Sequence, residues 1–521
     1  MGFSLKATAV QNSAEAAWQN PASALERLTT AGDLLQNFWI RVVVISGVLL
    51  VPCFWQKRIE AGDLRSHIYN AWLVQLIERG QAPGLWLAPV HNNVLFDYLL
   101  SGLARIFSLP NAARLACGIV VLMFFWGAFS FVGTIAGRSV WALAPLLAAV
   151  TYGWTFQEGF LNYELSLGLA FAGLALFLRS KTWGWVALLL IAPVAFLAHP
   201  IGAVWMLAAA LYLALLQLTP LKFHSLLACL AIVAVVVLHF AVQSRYRVEY
   251  PSSSALYTLL FYNGLDQLIL TLRYVLPVLL VVALLLVGIA GEIRSGMGAR
   301  QLLARSSKPL QLYLVVQAAI VLLPNAIYFP QYPVPISALT TRLTSISSVL
   351  LCCLLGTLHP QKWQRPVLWS LAVLFFVFVY QDTAVLNRME DQVERLVQTI
   401  PAGQRVISTI GGPPRYRFST KHLPDFSCIG HCFSYGNYEA PSSAFRIRAA
   451  VGNPFVVSDI HDATLMEEGQ YIVRARDLPL YQLYQCSPDW TQLCIQPLKE
   501  GQRNDLYGVH PGADSALGLS K

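Results

Sequence analysis

A series of long apolar runs is the feature that most limits what this chain can fold into. Roughly eleven such runs follow one another between residues 38 and 381, most of them near the ~20 residues that a helix needs to cross a bilayer. The pattern predicts an all-α polytopic membrane protein. The predicted spans are 38–54, 111–136, 139–155, 163–179, 183–198, 201–218, 225–242, 274–292, 311–328, 343–359 and 366–381.

Composition excludes a water-soluble protein. Hydrophobic residues make up 56% of the chain, charged residues only 12%, and the mean hydropathy is +0.55. So few charges cannot cover the surface of a soluble protein. The net charge of +9 does not indicate nucleic-acid binding, because the basic residues are spread over the loops. Membrane orientation and anionic lipid head groups explain that charge better.

The distribution of basic residues predicts the orientation. Residues 1–36 lack the features of a signal peptide and predict a short amphipathic helix, so the first apolar run is expected to be a retained anchor. Lys and Arg are absent from loops 156–162 and 329–340, which are therefore expected outside. We predict a cytoplasmic segment 1–37, a transmembrane domain 38–382 with an outer loop 55–110, and a small extracytoplasmic α+β domain 383–521.

The tail after residue 382 has the pattern of a small α+β domain. An amphipathic helix is predicted over 387–400, and β-like runs follow at 405–410, 455–459 and 470–475. Four cysteines lie in this region: Cys428, Cys432, Cys486 and Cys494. In an oxidising compartment we expect local disulfides, 428–432 and 486–494. Zinc is the alternative, because Cys428, His431 and Cys432 have ligand-like spacing.

The stretch 61–98 is too polar to cross a bilayer and is rich in ionisable groups. Apolar spacing predicts a helix from Ser66 to Glu78 that lies along the membrane surface, with its polar edge toward a cavity. Asp63 precedes this helix and is the candidate general base; the alternative is that it only caps the helix. His67 and Asn70 follow at i+4 and i+7 and are candidate substrate-binding residues on the same face, unless they simply bond a neighbour.

Other polar residues border the apolar runs on the predicted outer side. Glu158 and Asn162 are candidates for the wall of a wet cavity, because charged and polar groups at such positions are costly otherwise. His199 is a candidate at the cavity edge, or else only part of a helix-breaking turn with Pro200. A transporter would instead need polar groups near mid-membrane that both faces can reach. The one-sided polarity favours chemistry at the outer surface.

Three arginines are candidate phosphate ligands: Arg245, Arg247 and Arg342. The planar guanidinium fork suits phosphate oxygens. Arg342 lies at the start of an apolar run, at the depth expected for a lipid phosphate. The alternative for Arg342 is a side chain that snorkels to the head groups.

Several segments resemble the polytopic glycosyltransferases of the GT-C superfamily, which include protein mannosyltransferase, aminoarabinose transferase and Rgt-like bacterial families. The resemblance covers about residues 55–380 and is carried by an acidic residue in the first outer loop, a helix with His and Asn, and RGQAPGLW. EGFLNYELSLGLAF, FLAHPIGAVWML and the arginine of ISALTTRLTSIS are similar to segments of such proteins. The tail sequence CIGHCFSYGNYEAP resembles C-terminal regions of uncharacterised bacterial membrane proteins.

The resemblance implies an inverting transfer from a polyprenyl-phosphate-linked sugar on the extracytoplasmic side. A carboxylate of the first loop would activate the acceptor, and the matching residue here is Asp63. Many relatives carry two adjacent acidic residues in this loop, whereas the acidic neighbour here is Glu60, which we expect to be solvated or paired with Lys57 or Arg58.

These observations together predict a glycosyltransferase of the bacterial inner membrane. Its expected partners are a lipid-linked sugar donor, membrane lipids and an unidentified acceptor, with no nucleic acid. No cofactor is expected; a divalent metal is an alternative that the few carboxylates do not indicate. Two other functions stay open: a transporter or flippase of lipid-linked substrates, and a non-catalytic envelope assembly protein.

Overall fold

A computed structural model describes residues 37–358, 361–412, 416–487 and 489–506. The amphipathic helix predicted within residues 1–36 lies outside the described residues. The chain divides into two compact units, residues 1–52 and 53–521. In the described part of the first unit, one apolar helix dominates. The second unit contains the remaining elements.

The secondary structure is mostly helical, with a small strand region near the C-terminus. The α-helices are α1 (Phe38–Leu50), α2 (Leu64–Glu78), α3 (Leu95–Leu103), α4 (Leu109–Ala136), α5 (Ala144–Thr151), α6 (Trp154–Gln157), α7 (Leu161–Arg179), α8 (Lys181–Ala198), α9 (Pro200–Leu218), α10 (His224–Arg245), α11 (Ala255–Phe261), α12 (Val275–Arg294), α13 (Ala299–Leu322), α14 (Leu339–Thr357), α15 (Gln364–Val397), α16 (Leu423–Cys428), α17 (Glu439–Ser442) and α18 (Ile460–Glu467). The strands are β1 (Leu85–Leu87), β2 (Arg247–Glu249), β3 (Ala326–Tyr328), β4 (Arg405–Ser408), β5 (Phe433–Ser434), β6 (Ile447–Ala449), β7 (Leu480–Gln485) and β8 (Leu493–Leu498).

The long apolar helices identify a membrane protein. Among the described residues, seven helical segments are long and apolar enough to cross a bilayer, and they contain α4, α7, α9, α10, α12, α14 and α15. Helices α1 and α8 are apolar but shorter. Helix α7 is largely buried by its neighbours α4, α8 and α9, whereas α10 leaves most of its apolar surface exposed. An apolar surface of that extent is expected to face lipid.

The predicted span 139–155 does not form one helix. It consists of a 3₁₀ turn at Trp141–Leu143, then α5, which has only eight residues, and then α6 after a turn. Glycine is required in that turn, because a Cβ on Gly153 would lie 2.8 Å from the carbonyl oxygen of Gln267. The broken segment nevertheless packs against α14 and α15. Arg138, just before the segment, donates hydrogen bonds to Gly356 O and Leu358 O at the C-terminal end of α14.

The predicted span 311–328 also differs from the structure. Helix α13 begins earlier, at Ala299, and ends at Leu322. Residues 326–328 form strand β3 instead, which pairs antiparallel with β2. The predicted span thus combined the end of α13 with strand β3, because an apolar run cannot by itself distinguish a helix from a strand.

The tail contains one four-stranded sheet with the order β5-β4-β7-β8. Strand β4 is parallel to β5 and β7, and β7 is antiparallel to β8. The β-like run at 405–410 contains β4, but the runs at 455–459 and 470–475 do not form strands, and β7 and β8 were not predicted. Disulfides join Cys428 to Cys432 and Cys486 to Cys494, which is the pairing expected from their spacing.

Helix α15 continues without a break from an apolar segment into the tail. Its 34 residues include both the predicted span 366–381 and most of the predicted helix over 387–400. Beyond Pro366 the helix contains neither glycine nor proline, so nothing in its sequence interrupts it.

Helix α2 begins two residues before its predicted start, and the tail covers much of it. Its residues from Leu64 to Val74 are mostly buried, and tail elements cover it. The Trp72 ring stacks on Phe433 at 5.8 Å, and the Tyr69 hydroxyl accepts a hydrogen bond from Ser434 N at 3.0 Å. Apolar periodicity shows which face of a helix is buried but not which element buries it.

The loop and the tail also share a two-stranded sheet. Strand β1 pairs antiparallel with β6, with Trp86 opposite Arg448. This pairing places the segment between α16 and β6 directly over α2.

Buried ion pairs join α2 to α15. Arg65 pairs with both Glu60 and Glu390, and all three side chains are at most 2% exposed. Arg58 also contacts Glu390, with Nε 3.2 Å from Oε2. The expectation that Glu60 is solvated or paired with Lys57 or Arg58 is therefore wrong. A buried carboxylate requires a buried partner, and Arg65, in the first turn of α2, supplies it.

Candidate active site

Asp63 lies immediately before α2 and keeps its carboxylate available. It occupies the N-cap position, yet its side chain makes no capping hydrogen bond. The side chain is 30% exposed. Its backbone nitrogen donates to Glu158 O at 2.9 Å, which ties the loop to the segment between α6 and α7. The capping alternative for Asp63 is therefore not supported by the geometry.

Two glycines allow three segments to meet at Asp63. A Cβ on Gly62 would lie 2.7 Å from Glu158 O and 2.8 Å from the Cβ of Ser419 in the tail. Gly159 has a φ of +80°, and a Cβ there would lie 2.5 Å from the backbone nitrogen of Asp63. Such approaches are open only to glycine. They bring loop 61–63, residues 157–159 and the tail into direct contact.

Glu158 is the second carboxyl group beside Asp63. Its Oε1 accepts a hydrogen bond from Trp154 Nε1 at 3.1 Å. The guanidinium of Arg417, from the tail, lies over the Trp154 ring at 4.7 Å. Burial and the nearby charge of Asp63 raise the pKa of Glu158 to about 7, although Arg417 opposes this. Near neutral pH this carboxyl group can therefore hold or release a proton.

The tail places a histidine against Asp63. His422 Nε2 lies 3.6 Å from Asp63 Oδ1, and His422 Nδ1 lies 3.2 Å from Asp425 Oδ2. The Tyr438 ring packs against the imidazole with 5.4 Å between centroids. Burial opposes protonation of His422, but Asp425, Asp63 and Glu467 outweigh it and raise its pKa.

Arg342 lies in the first turn of α14, close enough to Asp63 to interact with its charge. Its guanidinium lies 4.2 Å from the centre of the Phe160 ring, and its Nη1 donates to Ser337 O at 3.0 Å. Its Nε is buried and has no hydrogen-bond partner among the described residues. The negative charge of the Asp63 carboxylate attracts the Arg342 guanidinium. A cation with unused hydrogen-bonding capacity therefore lies within electrostatic range of the candidate base.

His67 belongs to a neighbouring network with Asp97 and Asn162. His67 Nδ1 lies 2.7 Å from Asp97 Oδ1, and Asn162 Nδ2 donates to Asp97 Oδ2 at 2.9 Å. Asn162 Oδ1 also accepts from Phe96 N at 2.7 Å. Burial opposes the charge on His67, but Asp97 outweighs it and raises the pKa of His67 to about 9. The predicted wall residue Asn162 is thus engaged in fixing the start of α3.

Asn70 connects this network to the tail. Its Nδ2 donates to Ser66 Oγ at 3.1 Å, and its Oδ1 accepts from Asn437 Nδ2 at 3.0 Å. Ser66 Oγ in turn donates to Glu439 Oε1 at 3.4 Å. Burial, with Asp97 and Asp63 adding to it, raises the pKa of Glu439 to about 7. His67, Asn70, Asp97, Glu439 and Arg446 line a small cavity of about 20 Å³ between the loop and the tail.

The remaining predicted site residues are His199, Arg245 and Arg247. His199 caps α9, with its Nδ1 accepting from Ile201 N at 3.2 Å, and its ring packs on Tyr163. The Tyr163 hydroxyl donates to Arg342 O at 2.8 Å, so His199 is a neighbour of the Arg342 segment. Arg245 and Arg247 are exposed at the end of α10 and on β2. Among the described residues no hydrogen bond or ion pair joins either arginine to Asp63 or Arg342.

Four side chains of this site escape prediction from sequence: His422, Asp425, Tyr438 and Glu439. All belong to the tail and reach the site only because the tail folds over α2. A signal was present, since residues 416–446 are dense in ionisable and aromatic side chains for a short segment. Nothing in the local pattern indicates that this segment meets Asp63.

The arrangement brings a carboxylate and an arginine with a nitrogen that is unpartnered among the described residues into one region. A carboxylate can take a proton from a hydroxyl group, and an arginine can stabilise a phosphate oxygen as negative charge develops. Within the described ranges, no group of three or more His, Cys, Asp or Glu side chains could hold a metal ion. The divalent metal considered from the sequence stays an untested alternative.

The comparisons with known proteins give no relative. No protein-family model matches the sequence, and no curated protein or solved structure resembles the chain significantly.

Proposed function

We propose that this chain is an integral membrane glycosyltransferase of the GT-C type. It moves a sugar from a polyprenyl-phosphate-linked donor to an acceptor hydroxyl on the extracytoplasmic face. The observation that supports this most concerns two neighbouring side chains, Asp63 and Arg342. The Asp63 carboxylate does not cap its helix, and the buried Nε of Arg342, within its electrostatic range, has no hydrogen-bond partner among the described residues.

The proposed step is a single inverting displacement. Asp63 removes the proton from the acceptor hydroxyl while that oxygen attacks the anomeric carbon of the donor sugar. The bond from this carbon to the phosphate oxygen breaks, and the lipid phosphate leaves with the electron pair. Arg342 stabilises the charge that develops on this phosphate. Of the predicted phosphate ligands, Arg245 and Arg247 lie away from this step and serve lipid head groups.

The proposed topology has about eleven crossings with the tail outside a bacterial inner membrane. The broken segment 139–157 counts as one crossing, because its helix α5 packs against both α14 and α15. The two disulfides of the tail agree with an oxidising compartment.

The test is a transfer assay with the full-length protein in proteoliposomes and a set of radiolabelled polyprenyl-phosphate sugars. Asp63→Asn is expected to lower the rate of donor consumption by at least ~100-fold, the usual effect of losing a general base. Arg342→Ala is expected to lower it by ~100- to 1,000-fold.

Two variants away from the site serve as controls. Asp505→Asn removes a half-exposed carboxylate of the tail, and Arg395→Ala removes an exposed arginine near the end of α15. Both should keep the wild-type rate. Unchanged rates in Asp63→Asn and Arg342→Ala would contradict the proposal. Passage of an intact fluorescent lipid-linked sugar across the bilayer, without cleavage, would favour the flippase alternative.

A further inference from the structure

His422, in the C-terminal tail, faces the candidate base Asp63. The proposed transfer step gives this histidine no role. We propose that His422 is a positioning residue for Asp63: its imidazolium bridges Asp63 and Asp425 and holds the Asp63 carboxylate in place. The active site is then shared between the first loop and the tail. This inference rests on the proposed function of Asp63.

The geometry supports a bridge. The two imidazole nitrogens face two different carboxylates, with 3.6 Å from Nε2 to Asp63 Oδ1 and 3.2 Å from Nδ1 to Asp425 Oδ2. Both contacts are within ion-pair distance, and only the imidazolium carries the positive charge that an ion pair with two carboxylates requires. Asp425 is itself fixed, because its Oδ1 accepts a hydrogen bond from Ser434 Oγ at 2.5 Å and its side chain is 3% exposed.

The surroundings of His422 favour its cationic form. Carboxyl groups approach it from several elements, and the neighbouring cation Lys421 is paired with Glu467 at 2.6 Å. The charged and titratable groups that face His422 are Asp63 before α2, Asp425 on α16, Tyr438 and Glu439 around α17, and Glu467 on α18. Three of these carboxylates, Asp425, Asp63 and Glu467, raise the pKa of His422 against the effect of burial.

The position of His422 has a consequence for the base. A cation next to a carboxylate favours its ionised form. Only the protonated imidazole carries the charge that holds the Asp63 carboxylate in place, so the rate should fall as the pH rises through the raised pKa of His422. A purely structural histidine would not give the rate this dependence.

The test uses His422→Gln, which removes the charge but keeps a side chain of similar size and polarity. In the transfer assay kcat should fall about 10- to 100-fold with little change in KM, and the fall in rate at high pH should be absent from the variant. His422→Lys, which restores a cation that stays charged to higher pH, should recover part of kcat and move the fall in rate to higher pH. His461→Gln, an exposed histidine on α18, is the matched control and should change neither.

A second measurement does not depend on activity. The apparent Tm of the full-length protein is compared for wild type, Asp63→Asn, His422→Gln and the double variant. If the two side chains interact, His422→Gln should lower Tm at least twice as much in the wild type as in Asp63→Asn. Equal losses would overturn the inference, and so would an active His422→Gln with an unchanged pH profile. Absence of transfer by the wild type would instead overturn the proposed function, while the Tm cycle still decides whether the pair exists.

Discussion

Glu158 is the single residue beside Asp63 whose ionisation the fold changes most clearly. Burial and the charge of Asp63 raise its pKa to about 7 from an ordinary value of 4.5. The folded protein therefore binds a proton at Glu158 that the unfolded chain has already released between those two values. The contribution of Glu158 to stability is fully present below pH 4.5 and is lost as the pH rises through 7.

The raised pKa of Glu158 predicts how Glu158→Gln changes stability. Glutamine mimics the protonated form at every pH, so the variant should exceed the wild type in stability by about 1–3 kcal/mol at pH 8 and differ little from it at pH 5. The measurement is the apparent Tm of the full-length protein at both pH values. Glu468→Gln, on the tail surface, should show no such pH-dependent difference. A Tm gap of the same size at pH 5 and pH 8 would contradict the prediction.

At the scale of elements, the contact between α2 and α15 depends on buried charges. Arg65 is 2% exposed and lies between Glu60 and Glu390. Removing one partner of a buried ion pair leaves an uncompensated charge, which is far more costly than the pair itself is favourable. The loop before α2 also forms an exposed ion pair with α15, between Lys57 and Asp391.

The prediction compares these two kinds of ion pair. Arg65→Met should destabilise the protein by about 3–5 kcal/mol, because two carboxylates remain buried without it. Lys57→Met should cost less than about 1 kcal/mol, because Lys57 is 60% exposed and its partners stay solvated. Apparent Tm values of the two variants in the same detergent are the measurement. Similar losses would show that Arg65 is not buried between these carboxylates.

At the scale of the whole molecule, the tail is not an independent appendage of the membrane helices. It covers α2, contributes β6 to a sheet with the first loop, and brings His422 to Asp63. Residues that face each other across an antiparallel pair have Cα atoms about 4.5–5.5 Å apart, within the range that a disulfide can bridge.

A cross-linking experiment tests this docking. Trp86→Cys combined with Arg448→Cys should form a disulfide on mild oxidation, because the two residues are directly opposite in β1 and β6. A protease site inserted between α12 and α13 then separates the chain into two fragments that stay joined on a non-reducing gel. The pair Trp86→Cys with Val451→Cys is the control, since Val451 is 85% exposed and lies beyond β6. Equal cross-linking of both pairs would contradict the predicted register.

Local signals account for most of the helices but not for the site. The apolar runs predict α4, α7, α9 and α14 to within a few residues, and cysteine spacing predicts the disulfide pairs. The break at Gly153 was not predicted, because the glycine is needed for a contact with Gln267 that is distant in sequence. The burial of Glu60 was not predicted either, because one member of its charge cluster, Glu390, lies far away in sequence on α15.

By itself the sequence determined that the chain is a helical membrane protein with polar clusters at the ends of its apolar runs, since hydropathy and periodicity are properties of neighbouring residues. It also identified Asp63, because an acidic residue before an amphipathic helix is visible locally. Only the tertiary structure decided what surrounds Asp63. The partners Glu158, Arg342 and His422 come from separate segments, and their approach depends on close packing of the loop, the helix ends and the tail, which no local pattern encodes.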